Sequence, residues 1–424
     1  MSDRKVNKGG QNGRPCSPCA IFINCLKCQK KKGKMPPKVI LIDYLAGFMS
    51  FKYSSKDSPD YILKQIKTKV DNYFLSNNYN KNGNGYLLIK FITQVFLATL
   101  SVYWVFHTTE FYGLVLGYLC CGFSLLILGI NFGHDGAHGC LTGNKTFDGT
   151  LFQIIYALQG LGGYMWQIRH NSAHHIFPNV YDRDSDLEMS PLILLNPKQD
   201  SKPIHKYQHI YAPFLYMVVT LFWIFFEDFI IMIRKDSANA RIKKIPTIEW
   251  VKIIGIKLIY LFNYILLPCL LTDFSIVQVA CAFLIMHFVV SVFLTFTFFI
   301  SHHIEEVKYV RANEQTKVIE NSWLSHQINT TIDFHPNSYI AHFLFGGFNT
   351  HIAHHVFPDV CHIHYPAITK IIQETLIENN VGHWYKSFSF IDGVKSHIKH
   401  LKATAHQILS EQEQQSHKGA VIPQ

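Results

Sequence analysis

Histidines that could bind metal fall in three short clusters of the sequence. The clusters read HDGAH (134–138), HNSAHH (170–175) and HIAHH (351–355). Residues three or four apart lie on one face of a helix, so the imidazoles within a cluster can reach one ion. Adjacent histidines are rotated by about 100° and can reach a second ion. The candidate ligands are His134, His138, His170, His174, His175, His351, His354 and His355.

The number and type of these ligands narrow the choice of metal. Imidazole suits iron, zinc, copper and nickel. A tetrahedral zinc site uses three or four protein ligands, whereas eight histidines indicate two ions. The first cluster has Asp135 where the zinc-protease motif H-E-x-x-H has glutamate. The pattern favours two iron ions that activate dioxygen, although the residue types alone leave the metal open.

Long apolar segments must position these histidines. Crossing a bilayer takes about 20 residues of helix, and four runs are that long: 86–106, 111–130, 253–272 and 276–300. The composition agrees, because 48% of residues are hydrophobic and only 16% are charged, against about 25% charged in soluble domains. We therefore expect an all-α integral membrane protein with four transmembrane helices.

The charge distribution predicts how these helices are oriented. The connectors at 107–110 and 273–275 contain no Lys or Arg, whereas residues 1–85 hold 16 Lys and Arg against 5 Asp and Glu. Positively charged segments stay on the cytoplasmic side. We therefore expect two hairpins and a cytoplasmic helical head that holds the histidines and a di-iron centre. A further run, 210–233, carries two adjacent carboxylates and is not expected to cross.

The chain divides into three predicted regions. These are a basic, cysteine-containing flexible extension at 1–49, a membrane domain at 50–400 and a polar disordered tail at 401–424. Apolar residues at helical spacing between 62 and 74 predict an amphipathic helix on the membrane or on the head. A basic extension also suits nucleic acid, but no nucleic-acid-binding fold accompanies it, so we expect no such partner.

The extension contains a second cluster of residues that could bind metal. Its cysteines form C-x2-C-x5-C-x2-C, and paired CxxC units suggest a zinc or iron–sulfur site. The spacer is shorter than in a zinc ribbon, so palmitoylated or inert cysteines are the alternatives. The residues of this candidate N-terminal site are Cys16, Cys19, Cys25 and Cys28.

The three clusters, in this order and around two hairpins, resemble the histidine boxes of the membrane fatty-acid desaturase family. Longer segments are similar to its linoleoyl-CoA or front-end acyl desaturase branch, and the resemblance covers about residues 50–395. Front-end members often have Gln at the first position of the third box and Glu before its paired histidines, where this chain has His351 and Ala353. The segments are KNGNGYLLIKF (81–91), NKTFDGTLFQ (144–153), MWQIRHNSAHH (165–175), SHHIEEV (301–307), HQINTTIDF (326–334) and GGFNTHIAHHVFPDVCHIHYP (346–366).

The resemblance implies an O2-dependent desaturase that introduces a double bond into a long-chain fatty acyl group, carried on CoA or on lipid. It implies two non-haem Fe ions and a ninth ligand, His302, with His303 as the neighbouring alternative. It also implies a separate electron donor, ferredoxin or cytochrome b5 with its reductase, because the family's haem-binding His-Pro-Gly-Gly motif is absent. Carboxylates often orient ligand imidazoles, and the candidates here are Asp182, Asp184, Asp186 and Glu305.

Two other functions remain open at this stage. An acyl hydroxylase, epoxygenase or acetylenase would use the same scaffold, because the oxidant is shared. A membrane metal transporter or binding protein would place ligands near the bilayer midplane, but the eight box histidines lie outside the four runs and only His287 lies within one. In either case we expect a multi-pass protein surrounded by membrane lipid, in the endoplasmic reticulum of a eukaryote or the inner membrane of a bacterium.

Overall fold

Helices make up most of the chain that the structure describes. The computed structural model describes residues 51–54, 60–188, 191–196, 201–234, 236–237, 240–241, 245–313 and 315–419. The predicted extension at 1–49, with the candidate cysteine site, lies outside the described residues. The α-helices are α1 (Asp60–Ser76), α2 (Gly85–His107), α3 (Phe111–Leu128), α4 (His134–His138), α5 (Lys145–Leu158), α6 (Gly163–Arg169), α7 (Gln208–Tyr216), α8 (Val219–Phe222), α9 (Asp228–Arg234), α10 (Thr247–Leu261), α11 (Leu267–Leu271), α12 (Ile276–His302), α13 (Trp323–Asn329), α14 (Tyr339–Phe345), α15 (His351–Val356), α16 (Tyr365–Glu378) and α17 (Phe390–Gly419).

Short elements join these helices. Single π-helical turns lie at Gly129–Gly133, His170–His174, Trp223–Glu227 and Phe262–Leu266, and 3-10 turns lie at Ser185–Glu188, Pro203–Tyr207, Phe348–Thr350, His362–His364 and Gly382–Trp384. The two-residue strands are β1 (Lys52–Tyr53), β2 (Asp236–Ser237), β3 (Ala240–Arg241), β4 (Val318–Ile319), β5 (Asp333–Phe334) and β6 (Ser387–Phe388). β1 pairs with β4 and β5 with β6 in parallel, whereas β2 and β3 are antiparallel. The described fold is therefore predominantly α-helical.

Four helical stretches are long and apolar enough to cross a membrane, as the sequence predicts. They are Gly85–His107, Phe111–His138, Thr247–Leu271 and Ile276–His302. The second passes the predicted end at 130 because a π-helical turn joins α3 to α4. Apolar side chains of the first, including Leu88, Ile89, Ile92 and Phe96, are exposed on its outer face. An outer apolar face of this kind fits a membrane protein, because it can contact lipid.

Polar side chains fix where two of these stretches begin. The Oδ1 atom of Asn84 accepts hydrogen bonds from the backbone N–H groups of Tyr86 (3.0 Å) and Leu87 (3.2 Å) at the start of α2. Ser275 and Gln278 form a reciprocal capping box at the start of α12. These bonds satisfy backbone donors that the first turn of a helix leaves unpaired. Each cap stabilises its helix by about 1 kcal/mol.

The run at 210–233 is broken. Helical segments Pro203–Tyr216 and Val219–Arg234 meet at an angle of 70°. Pro213 lies inside α7 and has no backbone N–H to donate. Beyond the break, the backbone N–H of Thr220 donates to Oγ of Ser291 on α12 at 2.9 Å. The break is therefore anchored to one of the long apolar helices.

Both carboxylates of this bent segment have cationic partners. Glu227 Oε1 lies 2.8 Å from Nη1 of Arg169 on α6, and Asp228 Oδ2 lies 2.6 Å from Nζ of Lys257 on α10. Asp228 also accepts a hydrogen bond from the backbone N–H of Gly162 at 3.2 Å. A charge removed from water needs such partners. The two ion pairs tie the bent segment to α6 and α10.

α1 packs against the helix that carries the third histidine cluster. Its residues Ile62, Ile66 and Val70 are buried in an apolar cluster that includes Ile352 of α15 and Ile368 of α16. The spacing of these α1 residues gives the helix one apolar face. The predicted amphipathic helix is thus present, and it lies on the histidine-bearing part of the protein.

The last helix, α17, extends to Gly419, whereas the sequence predicts a disordered tail from 401. Leu401 and Ala405 are fully buried. The carbonyl oxygen of Leu401 accepts a hydrogen bond from Nε2 of Gln208 at 2.7 Å. The predicted boundary at 400 therefore falls inside a packed helix. A few buried residues in a polar, Gln-rich sequence give too weak a pattern to reveal this packing.

A double-glycine turn brings the third cluster against the first. Gly346 and Gly347 have φ angles of 54° and 94°, a region that side chains other than glycine rarely adopt. A Cβ on Gly346 would lie 2.7 Å from Cα of Asn131 and from the carbonyl oxygen of Ile130. The turn therefore packs directly on the backbone of the π-helical turn that precedes α4.

We expect Gly346→Ala to destabilise the protein by at least about 2 kcal/mol, because the new Cβ combines an unfavourable φ with a backbone clash. The measurement is thermal unfolding of the detergent-solubilised protein. Gly149→Ala in α5 is the matched control, since its Cβ would meet no atom within 4 Å, and it should be neutral or stabilising. Equal losses in the two variants would contradict the tight packing of this turn.

Candidate metal centre

The histidines lie at the ends of helical elements. His134 and His138 are the first and last residues of α4, which continues the second long apolar stretch. His170 and His174 are the first and last residues of the π-helical turn after α6. His302 is the last residue of α12, and the third cluster forms α15. The ends of two long apolar helices therefore meet two short helical elements.

The structure gathers nine histidines into two groups. Within each group, one ligand nitrogen from every residue lies within 4.8 Å of the others. The first histidine group consists of His134, His138, His170, His175 and His354. The second histidine group consists of His174, His302, His351 and His355. These are the eight box histidines and the ninth candidate, His302, and all except the partly exposed His138 are buried.

Neighbouring histidines enter different groups. His174 belongs to the second group and His175 to the first, while His354 belongs to the first and His355 to the second. This division follows from the rotation of about 100° between successive residues of a helix. The second and third clusters each contribute to both groups, as expected for two ions.

Three rings of the second group donate a hydrogen bond through Nδ1 to an oxygen that can only accept. The pairs are His302 with the carbonyl of Thr330 (2.9 Å), His355 with Oε1 of Gln327 (3.0 Å) and His174 with Oδ1 of Asp184 (3.1 Å). A neutral ring that donates through Nδ1 has its lone pair on Nε2. In the described chain, Nε2 of His302 and of His355 are buried without a hydrogen-bond partner. Buried lone pairs of this kind fit a bound cation.

Ring nitrogens of the first group lie closer still. Nε2 of His170 is 3.0 Å from Nε2 of His134 and of His175, and Nε2 of His175 is 2.9 Å from Nε2 of His354. Within the described residues, Nε2 of His138 is buried without a partner. A ring N–H can donate to only one of the neighbouring ring nitrogens, whereas a bound cation can accept the lone pairs of several of them at once. The first group therefore also fits a metal ion.

Burial keeps most of these rings neutral. Burial first, and neighbouring imidazoles second, hold the pKa values of His175, His354 and His355 well below their usual range. Neutral imidazole is the form that binds metal. His174 differs, because burial favours a low pKa but the charges of Asp184 and Asp186 raise its pKa to about 9.

Two of the four predicted carboxylates contact a histidine. Asp184 is fully buried and accepts hydrogen bonds from the backbone N–H groups of Asn179 (2.8 Å) and Asp186 (3.0 Å), besides its contact with His174. Oδ2 of Asp186 lies 3.4 Å from Nδ1 of His174. A carboxylate at Nδ1 orients the ring and makes Nε2 a stronger donor to metal. Asp184 occupies this position beside His174.

The other two predicted carboxylates do not join the histidines. Asp182 occupies a tight turn with a φ of 59° and belongs to neither group. Glu305 is exposed, and its backbone N–H donates to Oγ of Ser396 at 3.2 Å. Because α12 ends at His302, the chain has already turned away when it reaches Glu305. The structure thus gives no support to an orienting role for Glu305.

His302, rather than His303, belongs to the second group. Nδ1 of His303 lies 3.0 Å from the hydroxyl oxygen of Tyr309, and the two rings are stacked with centroids 6.2 Å apart. The chain leaves the helix at His303, which directs this side chain away from the other eight rings. This geometry favours His302 over His303, and the role of His302 as a metal ligand stays a prediction.

Sequence reasoning missed the residues that orient two of these rings. Gln327 and Thr330 lie in the segment HQINTTIDF, but each is 28 residues from the histidine that it contacts. Asp135 stands inside the first cluster, and its partner His362 is 227 residues away. Spacing in one sequence reveals neighbours on the same helix and gives no signal for such distant pairs.

A cavity whose surface is mainly apolar, although Asp186 and the Arg169–Glu227 pair also line it, reaches the second histidine group. Its lining includes Thr295, Phe298, Phe299, His302 and His351. A second cavity extends among the long helices beside Leu126, Ile130 and Leu294. The two adjoin, and the residues that line both are Trp166, Arg169, Trp223, Glu227 and Phe298. Together they form a slot, called here the apolar slot, beside the histidines.

Comparison with known proteins gives one family match and several relatives. Residues 109–387, which contain all three histidine clusters, match the family model described as fatty acid desaturase. The chain is 26% identical over 340 residues to the sn-1 linoleoyl-lipid 6-desaturase of Synechocystis sp., covering 80% of this chain and 94% of the relative.

Two further relatives are each 28% identical to the chain. The chain is 28% identical over 358 residues to the acyl-lipid (8-3)-desaturase of Physcomitrium patens, covering 83% of this chain and 73% of the relative. It is 28% identical over 388 residues to the Delta(5) fatty acid desaturase A of Dictyostelium discoideum, covering 86% of this chain and 80% of the relative.

We expect Gln327→Leu to destabilise the protein by about 1–3 kcal/mol, because it leaves the Nδ1–H of His355 buried without an acceptor. Asn329→Leu on the same helix is the control, since Asn329 bonds only to Ser325 of α13 through its side chain among the described contacts. Gln327→Glu keeps an acceptor and should restore most of the stability. Thermal unfolding in detergent measures all three, and equal effects of the two leucine variants would contradict the role of Gln327.

Proposed function

The chain belongs to the fatty acid desaturase family, and from that premise we propose that its two histidine groups hold two iron ions. The protein is an oxidoreductase that introduces a double bond into a fatty acyl group, in agreement with the linoleoyl and front-end desaturases that it resembles. The family match also argues against the alternative function of a membrane metal transporter or binding protein. Two irons with dioxygen would supply the oxidising power to remove hydrogen from an unactivated methylene, which no side chain can supply.

The observation that carries the iron proposal is the convergence of nine buried or partly buried imidazoles in two groups of five and four. Several of their Nε2 atoms have no partner in the described chain. A tetrahedral zinc site would use three or four protein ligands, and imidazole is a good ligand for iron. The donor set therefore favours two irons, with the hydrogen bonds at Nδ1 holding the rings in their binding orientation.

The apolar slot is where we place the acyl chain. Aromatic side chains at its centre, Trp166, Trp223 and Phe298, can hold a methylene chain against the second histidine group. The protein's part in the reaction is to fix one C–C bond beside the metal and to exclude water. The printed names of two relatives specify linoleoyl-lipid and acyl-lipid substrates, which favours an acyl group carried on membrane lipid over acyl-CoA.

The proposed topology is two hairpins with the histidines on the cytoplasmic side. The second and fourth apolar stretches end at His138 and His302, which belong to the two adjoining histidine groups. If each stretch crosses the membrane, the connectors at 108–110 and 272–275 lie together on the opposite side. The positive-inside tendency then favours a cytoplasmic metal centre, in the endoplasmic reticulum of a eukaryote or the inner membrane of a bacterium.

The proposed electron donor is a separate protein, either ferredoxin or cytochrome b5 with its reductase. Residues 1–106 contain no histidine, and the 424 residues contain no His-Pro-Gly-Gly motif. Reduction of the two irons therefore needs electrons from outside these residues. Addition of each purified donor to the detergent-solubilised enzyme would identify which one supports turnover.

We expect His302→Ala to lower the iron content from two to about one per chain and the turnover by more than about 100-fold, because a ligand is lost. His303→Ala is the matched neighbour, and it should keep both irons, since His303 contacts Tyr309 instead. Iron per chain is measured by plasma mass spectrometry on purified protein. Retention of iron in the first variant together with loss in the second would reverse the assignment.

The function is tested by expressing this chain in yeast that is supplied with linoleic acid and analysing the fatty acids of the cells. Yeast that expresses the His174→Ala variant is the control. We expect a new unsaturated acid in the first culture that is absent from the second, with its double bond located by gas chromatography and mass spectrometry. Enrichment of the product in lipid fractions rather than in acyl-CoA would support the lipid-linked substrate. A hydroxylated or epoxidised product would instead assign the related oxidase activity.

A further inference from the structure

A buried chain of three charged or titratable residues lies behind the first histidine cluster. Oδ2 of Asp135 accepts hydrogen bonds from Nδ1 of His362 at 2.8 Å and from its backbone N–H at 3.0 Å. Nζ of Lys90 lies 2.9 Å from Nε2 of His362 and donates to the carbonyl of His342 at 3.0 Å. Asp135 and Lys90 are each 1% exposed and His362 is 4% exposed.

The hydrogen bonds determine the protonation of this chain. A lysine ammonium can only donate, so Nε2 of His362 accepts, and its Nδ1–H then donates to the Asp135 carboxylate. A neutral imidazole therefore links a buried cation to a buried anion. Cys361 lies near Asp135 and His362, but both ring nitrogens of His362 are already engaged. This cluster is accordingly an ion pair joined through a ring rather than a third metal site.

The chain of contacts continues to the first histidine group. Oδ1 of Asp135 lies 4.0 Å from Nδ1 of His134. That nitrogen is buried and has no hydrogen-bond partner in the described chain, and Nε2 of His134 lies among the nitrogens of the first group. A carboxylate beside the outer nitrogen of a ligand ring is the usual device for orienting the ring. The order is thus Lys90, His362, Asp135, His134.

The second histidine group has a carboxylate but a different surrounding charge. Asp184 contacts Nδ1 of His174, and the neighbouring carboxylate of Asp186 lies 3.4 Å from the same nitrogen. Arg169, whose charge also acts on Asp186, pairs with Glu227 at 2.8 Å. Asp135, by contrast, is linked to the cationic Lys90 through the imidazole ring of His362. The two groups therefore sit beside unequal fixed charges.

From these contacts we propose that Lys90, His362 and Asp135 are positioning residues that set the electrostatic potential at the first histidine group and make its metal unequal to the metal of the second. The inference rests on the proposed two-iron function. Lys90 and Asp135 belong to long apolar helices, where ionisable residues are costly and point to a functional role. A buried charge near a ligand ring shifts the reduction potential of the bound metal, because little water screens the interaction.

The test uses two neutral substitutions that remove charges of opposite sign. Lys90→Met removes a positive charge and should lower the reduction potential of the iron centre, because electron uptake loses a favourable interaction. Asp135→Asn removes a negative charge and should raise the potential. The double variant should return towards the wild-type value. Asp135→Asn should also weaken metal binding at the first group by about 10–100-fold.

The readouts are iron per chain and the midpoint potential, followed by electron paramagnetic resonance during an anaerobic redox titration of the purified enzyme. Lys90→Arg keeps the charge and should keep the potential. Lys257→Met is the matched control, since it removes another buried lysine that pairs with Asp228, outside both histidine groups, and it should leave the potential unchanged. If the Lys90→Met protein does not accumulate, the direction in which Asp135→Asn shifts the midpoint potential decides whether the inference holds.

The outcomes separate this inference from the function on which it rests. Fewer than two irons in the wild-type protein would overturn the two-iron proposal itself. Two irons with opposite shifts in the single variants would support the inference. Two irons with shifts of the same sign, or with no shift, would overturn the inference alone, because a purely structural role gives no reason for a dependence on the sign of the charge.

Discussion

Imidazole lone pairs that are sealed from water and turned toward one another are the constraint around which this protein is built. Three rings of the second group present Nε2 to that group, so their Nδ1–H groups need acceptors on the other side. Those acceptors come from separate elements: the carbonyl of Thr330 and the side chain of Gln327 from α13 and its end, and Asp184 from the turn after the second cluster. The helices, the π-helical turns and the double-glycine turn bring these acceptors and the rings together.

Much of this arrangement could be predicted from the sequence, and the remainder depends on distant contacts. Histidine spacing within each cluster and the length of the apolar runs are local signals, so they predict the clustered histidines, which the structure brings together, and its four long apolar helices. Glu305 was proposed from proximity along the chain, but the end of α12 turns it outward. The pairing of Lys90 with His362 spans 272 residues, and no periodicity in one sequence can reveal it.

Polar contacts also organise the apolar part of the molecule. The bent segment could have formed a straight helix of sufficient length, yet Glu227 and Asp228 require cations when they leave water. Arg169 and Lys257 supply them, and the segment is thereby fixed beside the apolar slot. Arg169 is the residue before His170, so the same short region carries a histidine of the first group and anchors the wall of the slot. The wall of the slot is therefore joined to the second cluster through Arg169.

The division of adjacent histidines between the two groups has a mechanical meaning. His174 and His175 are consecutive, as are His354 and His355, and consecutive Cα atoms are held about 3.8 Å apart by the peptide unit. Two peptide units, one in each of two different segments, thus fix the separation of backbone positions that contribute to the two histidine groups. A movement of either segment therefore displaces one histidine of each group together, so the two groups cannot shift independently without a change in side-chain rotamers.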